Sequence, residues 1–154
     1  MVHYAIDRSR KLCLLPEATK TFDTFRTSRE VEAGGILLGR VYPSEVDIEV
    51  ATPPNVADKA GRYFFDRSRA AAQAIVNTAW TASGGERIYL GEWHSHLADV
   101  AEPSNRDRKM ILNMLRESDM HIDFLILVVL GRQKDWVGLA HDGVLRRLMQ
   151  NRHP

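Results

Sequence analysis

The stretch Glu92-Trp93-His94-Ser95-His96, followed after a short loop by Pro103-Ser104-Asn105-Arg106-Asp107, gathers the side chains of this 154-residue chain most able to do chemistry. Successive side chains of a strand point to opposite faces. A strand through the first segment therefore sets His94 beside His96 and turns Trp93 and Ser95 away. Two imidazoles so placed can reach one ion at about 2.0–2.1 Å. Leu97 to Pro103 is long enough to turn the chain back. Ser104 and Asp107 then fall three residues apart on the first turn of a helix, on one face. Asp107 offers an oxygen ligand to the same ion. Three protein ligands with a fourth position open to water is the pattern of a catalytic zinc site. Two nitrogens and one oxygen suit zinc better than magnesium or calcium, which take all-oxygen shells.

Plainer readings stand beside these. A His-x-His pair is a weak signal by itself in a chain with six histidines. Ser104 and Asp107 also read as a helix N-cap with its acidic N3 partner, without any metal. The two readings are compatible, because the cap fixes the helix start that aims Asp107. Glu92 shares the strand face of His94 and His96, as a base or as a partner to an imidazole. Trp93 and Trp136 read as packing rather than substrate platforms. Cys13, the one cysteine, reads as a small apolar residue with no paired base visible. It has no partner for an internal disulfide, which argues against a secreted, disulfide-stapled fold. Asp99 and Glu102 read as exposed loop acids. His3, His141 and His153 carry no partner pattern, and His121 reads as a histidine at a strand edge.

The elements that must position these groups follow from periodicity. Pro16 to Arg26 carries Ala18, Phe22 and Phe25 at helical spacing. Gly34 to Val41 and Val46 to Val50, separated by Pro43 and Ser44, read as a two-stranded hairpin. Asp66 to Trp80 reads as a helix with Ala70, Ala74, Ile75 and Ala79 on one stripe, closed by Ser83-Gly84-Gly85. Glu86 to His96 reads as a strand. Asn105 to Glu117 reads as a helix with Met110, Ile111, Met114 and Leu115 inward. Ile122 to Leu130 reads as a strand buried on both faces, and Trp136 to Ala140 as its hairpin partner. Val144 to Met149 fits a strand or a short helix. The order predicts an α/β (α+β) fold, a mixed central β-sheet flanked by helices.

Bulk properties narrow the functions. A net charge of +1 gives no strong field toward nucleic acid or an acidic membrane. Arg146, Arg147, Arg152 and His153 make one local basic spot. Met1 to Arg10 lacks the apolar run of a signal peptide, and the longest apolar run, Phe124 to Leu130, is too short to span a bilayer. The expectation is one domain over residues 1–154, in a reducing cytoplasm, with neither nucleic acid nor membrane as partner.

His94-x-His96, seven residues, Ser104, two residues and Asp107 match the motif of the JAMM (JAB/MPN) metallopeptidases at every motif position. Glu32-Ala33-Gly34-Gly35-Ile36-Leu37-Leu38-Gly39 resembles that family's acidic segment, a Glu just before a glycine-opened strand. The resemblance runs from about Pro16 to about Ala140, and the compact length resembles the prokaryotic JAB branch. It implies Zn2+ held by His94, His96 and Asp107. It also implies Glu32 as general acid/base and Ser104 as hydrogen-bond donor to the oxyanion of an amide under attack. Glu30 competes with Glu32 and stands further from the glycine pair. One departure is Leu97, where the family has a proline after the second histidine; it bears on the path of the loop.

Members of this family chiefly cleave peptide or isopeptide bonds after the tail of a ubiquitin-like protein. An extended tail could pair beside a free strand edge. Gly61-Arg62-Tyr63, Trp80 and Gly91 to His96 are similar to JAB peptidases of bacterial conjugation operons, including the type II CBASS anti-phage systems. That implies a conjugated substrate, with a nucleotidyltransferase C-terminal tail as the candidate, and E1/E2-like operon partners. Processing of a sulfur-carrier or ubiquitin-like precursor is the alternative. A non-catalytic MPN scaffold is the alternative of another class. A zinc deaminase needs a Cys-x-x-Cys pair and is excluded by the single cysteine.

Overall fold

The computed structural model describes residues 1–26, 30–118, 120 and 122–151. His121, Arg152 and His153 lie outside the described residues. In chain order the elements are β1 (Val2–Ala5), β2 (Lys11–Leu14), α1 (Pro16–Phe25), β3 (Gly34–Val41), β4 (Glu45–Ala51), β5 (Lys59–Ala60), β6 (Phe65–Asp66), α2 (Arg69–Ala82), β7 (Ile88–Ser95), α3 (Asn105–Glu117), β8 (Phe124–Leu130), β9 (Trp136–His141), β10 (Val144–Arg147) and β11 (Met149–Gln150).

Nine strands form one sheet in the order β10-β9-β8-β7-β3-β4-β2-β1-β11, and β5 pairs with β6 apart from it. The β2–β4 and β7–β8 pairs are parallel and the others antiparallel, so the sheet is mixed, as expected. The terminal segment is bent at buried Leu148. Its first half, β10, pairs with β9, and its second half, β11, pairs with β1. One continuous segment thus joins the two ends of the sheet, and the sheet curls around a core.

That core includes Leu12, Leu14, Leu90, Trp93 and Leu148, with Ala18 and Phe22 of α1 laid against them. Trp93 is 1% exposed, meets Phe22 edge-on and donates its indole N–H to the Thr52 carbonyl at 2.9 Å. It is packing, as its sequence context suggests, and so is buried Trp136. On the other face α2 covers Ile36 and Leu38, and α3 packs Ile111 against Leu125, Leu127 and Val129. Every residue of β8 is buried, which explains its unbroken apolar run.

Several expectations shift. Residues 1–15 carry two strands that the sequence pattern leaves unassigned. Helix α2 begins at Arg69 rather than Asp66, because the Ser68 hydroxyl accepts from the Ala71 N–H at 3.2 Å and caps it there, while Asp66 belongs to β6. The inward stripe of α2 is Ala72, Ile75, Val76 and Ala79, and Ala70 and Ala74 face solvent. Val144–Arg147 is a strand.

Strand β7 also departs from simple alternation. The β3–β7 register shifts between Leu37 and Leu38, where Leu37 pairs with Gly91 and Leu38 with Tyr89. Leu90 and Trp93, three apart, both enter the curled core, whereas perfect alternation would part them. Gly91 takes φ = +151° at this bulge, and a Cβ there would lie 1.8 Å from the Ile126 carbonyl oxygen. Gly91→Ala is therefore expected to lower stability by about 2 kcal/mol or more, read as a reduced denaturant midpoint.

Candidate active site

The bulge fixes the phase with which β7 delivers its last residues. His94 lies in the strand and His96 just beyond it, where its N–H still donates to the Leu130 carbonyl at 2.8 Å. The two rings sit side by side with centroids 5.1 Å apart. Asp107 arrives from the start of α3. His94 Nε2 is 3.0 Å from Asp107 Oδ1, and His96 Nε2 is 3.1 Å from Oδ2. These three side chains offer ligating atoms that all lie within 4.8 Å of one another.

A capping box holds Asp107 in place. The Ser104 hydroxyl oxygen accepts from the Asp107 N–H at 3.1 Å, and Asp107 Oδ2 accepts from the Ser104 N–H at 2.8 Å. The cap and the three-residue convergence coexist. The loop before it is tied down without the family's proline. Ala98 and Asp99 carbonyls accept from the N–H groups of Arg132 and Gln133 at 2.8 Å each, and the Ala101 N–H donates to Lys134 at 2.9 Å. Asp99 and Glu102 are exposed.

Buried Glu32 lines the same cleft of about 480 Å³, together with Tyr63, Phe64, Ser104, Arg106 and the convergent trio. Its backbone is pinned from two sides. The Glu32 N–H donates to Gly61 at 2.8 Å, and Ser95 clamps the next residue through two bonds, its hydroxyl accepting from the Ala33 N–H at 2.9 Å and its N–H donating to the Ala33 carbonyl at 2.8 Å. Glu30 is exposed, so burial separates the two candidates. Burial pushes the Glu32 carboxyl above its ordinary pKa, against the pull of His96 and His94.

Asp107 is held below its ordinary value: burial opposes ionisation, and the two imidazoles with the Ser104 N–H overcome it. Asp107 in turn raises His96. Buried His94 Nε2 stands outside hydrogen-bonding geometry with Asp107, although only 3.0 Å away, and has no hydrogen-bond partner among the described residues. A buried nitrogen without a hydrogen bond, beside a carboxylate and a second imidazole, fits a metal ligand.

Glu92 is on the histidine face, with its carboxylate already engaged by other partners. It is buried against Arg67, which precedes α2, and accepts from the Tyr89 hydroxyl; both partners also touch Met114 Sδ on α3. Burial raises Glu92 and Arg67 opposes the rise. Arg67, Tyr89 and Ser95 were not readable as site supports, since each acts through partners distant in sequence. His141 meets Asp123 at 3.2 Å, and His3 meets Cys13, so both have partners.

Residues 21–141 match the family model described as prokaryotic homologs of the JAB domain. The chain belongs to this family. As a JAB protein it is a JAMM-type hydrolase. It is 42% identical over 113 residues, 70% of each chain, to a Pseudomonas aeruginosa protein named CD-NTase/cGAS isopeptidase. An Escherichia coli protein of the same name is 27% identical over 145 residues, 92% of this chain and 90% of that one. The solution structure of a Desulfitobacterium hafniense protein shares the fold, with a TM-score of 0.63 at 20% identity over 88% of each chain. Among the described residues no helix is long and apolar enough to cross a membrane.

Two variants weigh the supports of this JAB cleft. Ser104→Ala is expected to lower stability by about 1 kcal/mol, through loss of the cap. Arg67→Met leaves the Glu92 carboxylate buried without its cation and is expected to cost about 3–5 kcal/mol. Denaturant unfolding of both measures the difference.

Proposed function

We propose that the chain acts as one catalytic domain over residues 1–154, a zinc-dependent isopeptidase that hydrolyses the amide bond after the C-terminal tail of a conjugated or ubiquitin-like protein. The observation that carries it is the meeting of His94, His96 and Asp107 within 4.8 Å in a cleft that Glu32 and Ser104 also line. A buried imidazole nitrogen 3.0 Å from a carboxylate, yet outside hydrogen-bonding geometry with it, supports a metal-holding site over a non-catalytic scaffold.

In this reading His94 Nε2, His96 Nε2 and one Asp107 oxygen hold the ion. A zinc ion so held lowers the pKa of water toward ~7 and polarises a carbonyl. Glu32, raised by burial, takes a proton from the attacking water and returns it to the leaving amine nitrogen. Ser104 uses its oxygen to accept from Asp107, which leaves its own O–H hydrogen free to donate to the oxyanion of the substrate. The exposed edge of the β5–β6 hairpin stands where an extended tail could add as a strand.

The relatives named CD-NTase/cGAS isopeptidase support a nucleotidyltransferase conjugate as the substrate. The resemblance to conjugation-operon peptidases adds E1/E2-like proteins that make the conjugate, in the cytoplasm, to this proposal. The near-neutral charge supports a protein rather than a nucleic-acid or membrane partner.

Asp107→Ala is expected to lose one equivalent of zinc by elemental analysis together with all cleavage. Glu32→Gln is expected to keep that zinc and lose about 10²–10⁴-fold in kcat. Chelation is expected to abolish cleavage, and added zinc to restore it. The assay is cleavage of a nucleotidyltransferase joined through its C-terminal tail to a reporter. Cutting of a ubiquitin-like or sulfur-carrier precursor in its place would move the substrate assignment to precursor processing, and turnover by Glu32→Gln at the parent rate would remove Glu32 as the base.

A further inference from the structure

Away from the cleft, β1, β2 and β4 place a second set of ligand-type side chains together. Leu12 and Leu14 enter the curled core, so Cys13 between them is turned to the opposite face. His3 pairs with Cys13 across β1–β2, and Asp47 pairs with Cys13 across β2–β4. Glu45, two residues before Asp47, shares its face. Cys13 Sγ lies 3.2 Å from His3 Nδ1 and 2.9 Å from Glu45 Oε1, and the three donor atoms all lie within 4.8 Å of one another. Beside them Asp47 Oδ1 is enclosed and has no hydrogen-bond partner among the described residues.

We propose that Cys13, His3 and Glu45 form a second metal site, for a thiophilic divalent ion of the zinc type, with Asp47 as the available fourth ligand. Sulfur, nitrogen and oxygen donors on three adjacent strands suit a tetrahedral zinc shell and disfavour magnesium and calcium. Zinc–sulfur and zinc–nitrogen bonds of about 2.3 and 2.0–2.1 Å set such donors about 3.5 Å apart, so the sulfur must move about 0.3 Å further from His3 and about 0.6 Å further from Glu45. Glu45 sits toward solvent and has the freedom to give that space.

The ion has to displace a proton. Cys13 is pushed up to about 12 by burial and by Glu45, so without an ion it keeps its proton and donates it to Glu45. Burial and Glu45 also raise Asp47. Lys11 offsets part of this negative charge from the rim, 3.2 Å from Glu45 Oε1. On binding, the ion takes the thiol's place as Glu45's partner, the sulfur binds as thiolate and the thiol proton leaves to solvent. The bound ion fastens β1 to β2 and β4, at the end of the sheet that β11 closes.

Cobalt(II) titration of the parent, Asp107→Ala and Cys13→Ser proteins tests this. Cys13 is the one cysteine of the sequence, so a thiolate-to-cobalt charge-transfer band in the near ultraviolet reports it alone. The parent is expected to show the band. Asp107→Ala is expected to keep it, and Cys13→Ser to lose it along with one equivalent of bound cobalt while cleavage continues. His3→Gln, which leaves the thiol in place, is expected to weaken the band's apparent affinity about tenfold or more. A folded parent without the band at saturating cobalt overturns the site, as does a stoichiometry that Cys13→Ser leaves unchanged. If instead the band appears but Asp107→Ala loses no metal, the proposed function fails and the second site stands.

Discussion

A carboxylate pressed between two imidazoles is the contact around which this molecule is arranged. Asp107 comes from a helix and His94 and His96 from the end of a strand, so a strand, a loop and a helix start must agree to within a fraction of an ångström. Each has its own restraint. The bulge at Gly91 phases the strand, the backbone bonds from Arg132, Gln133 and Lys134 shape the loop, and the reciprocal bonds of Ser104 and Asp107 fix the helix start. Asp107 is at once cap partner and member of the trio. Its backbone role makes its side-chain role precise.

Below that contact lies a second polar node, made of Arg67, Tyr89 and Glu92 with Met114 beside it. It joins the approach to α2, strand β7 and helix α3. A buried ion pair is rarely a net stabiliser against an apolar replacement, but it is demanding about geometry. Here the demand falls on β7 and α3, which carry the convergent trio, and on the segment leading into α2, so the node aligns the supports of the site rather than its chemistry.

The sequence is read best where one element speaks for itself. The spacing from His94 to Asp107, the boundaries of α3 and the glycine-opened strand β3 all follow from local pattern, and so does the preference for a mixed sheet with helices. What escapes depends on distant partners or on weak signals. Alanine is nearly indifferent to burial, so the alanine-rich α2 has two plausible phases, and only the surface beneath it selects Ala72 over Ala70 and Ala74. Ser95 looks like a spacer between two histidines until the fold brings Ala33 to it across 62 positions. Cys13 and His3 become neighbours only once two four-residue strands, too short to announce themselves, form a hairpin. Glu92 keeps the face that alternation assigns it, yet Arg67, met from 25 positions away, decides its use.

The bent terminal segment carries a consequence for behaviour in solution. An open sheet of many strands presents two long rows of unpaired amides, and such rows are templates for any extended chain that drifts past. Here the two outermost strands, β10 and β11, are halves of one bent segment, only four and two residues long, so the edges they offer are short. The short β5–β6 pair, joined to no other strand among the described residues and set at the rim of the cleft, retains an edge. Short outer edges guard a protein against being seeded into fibres by extended chains, which the proposed substrates would be. In the proposed reading, a tail that adds to the β5–β6 edge would lie beside the reactive groups, where it can be cut.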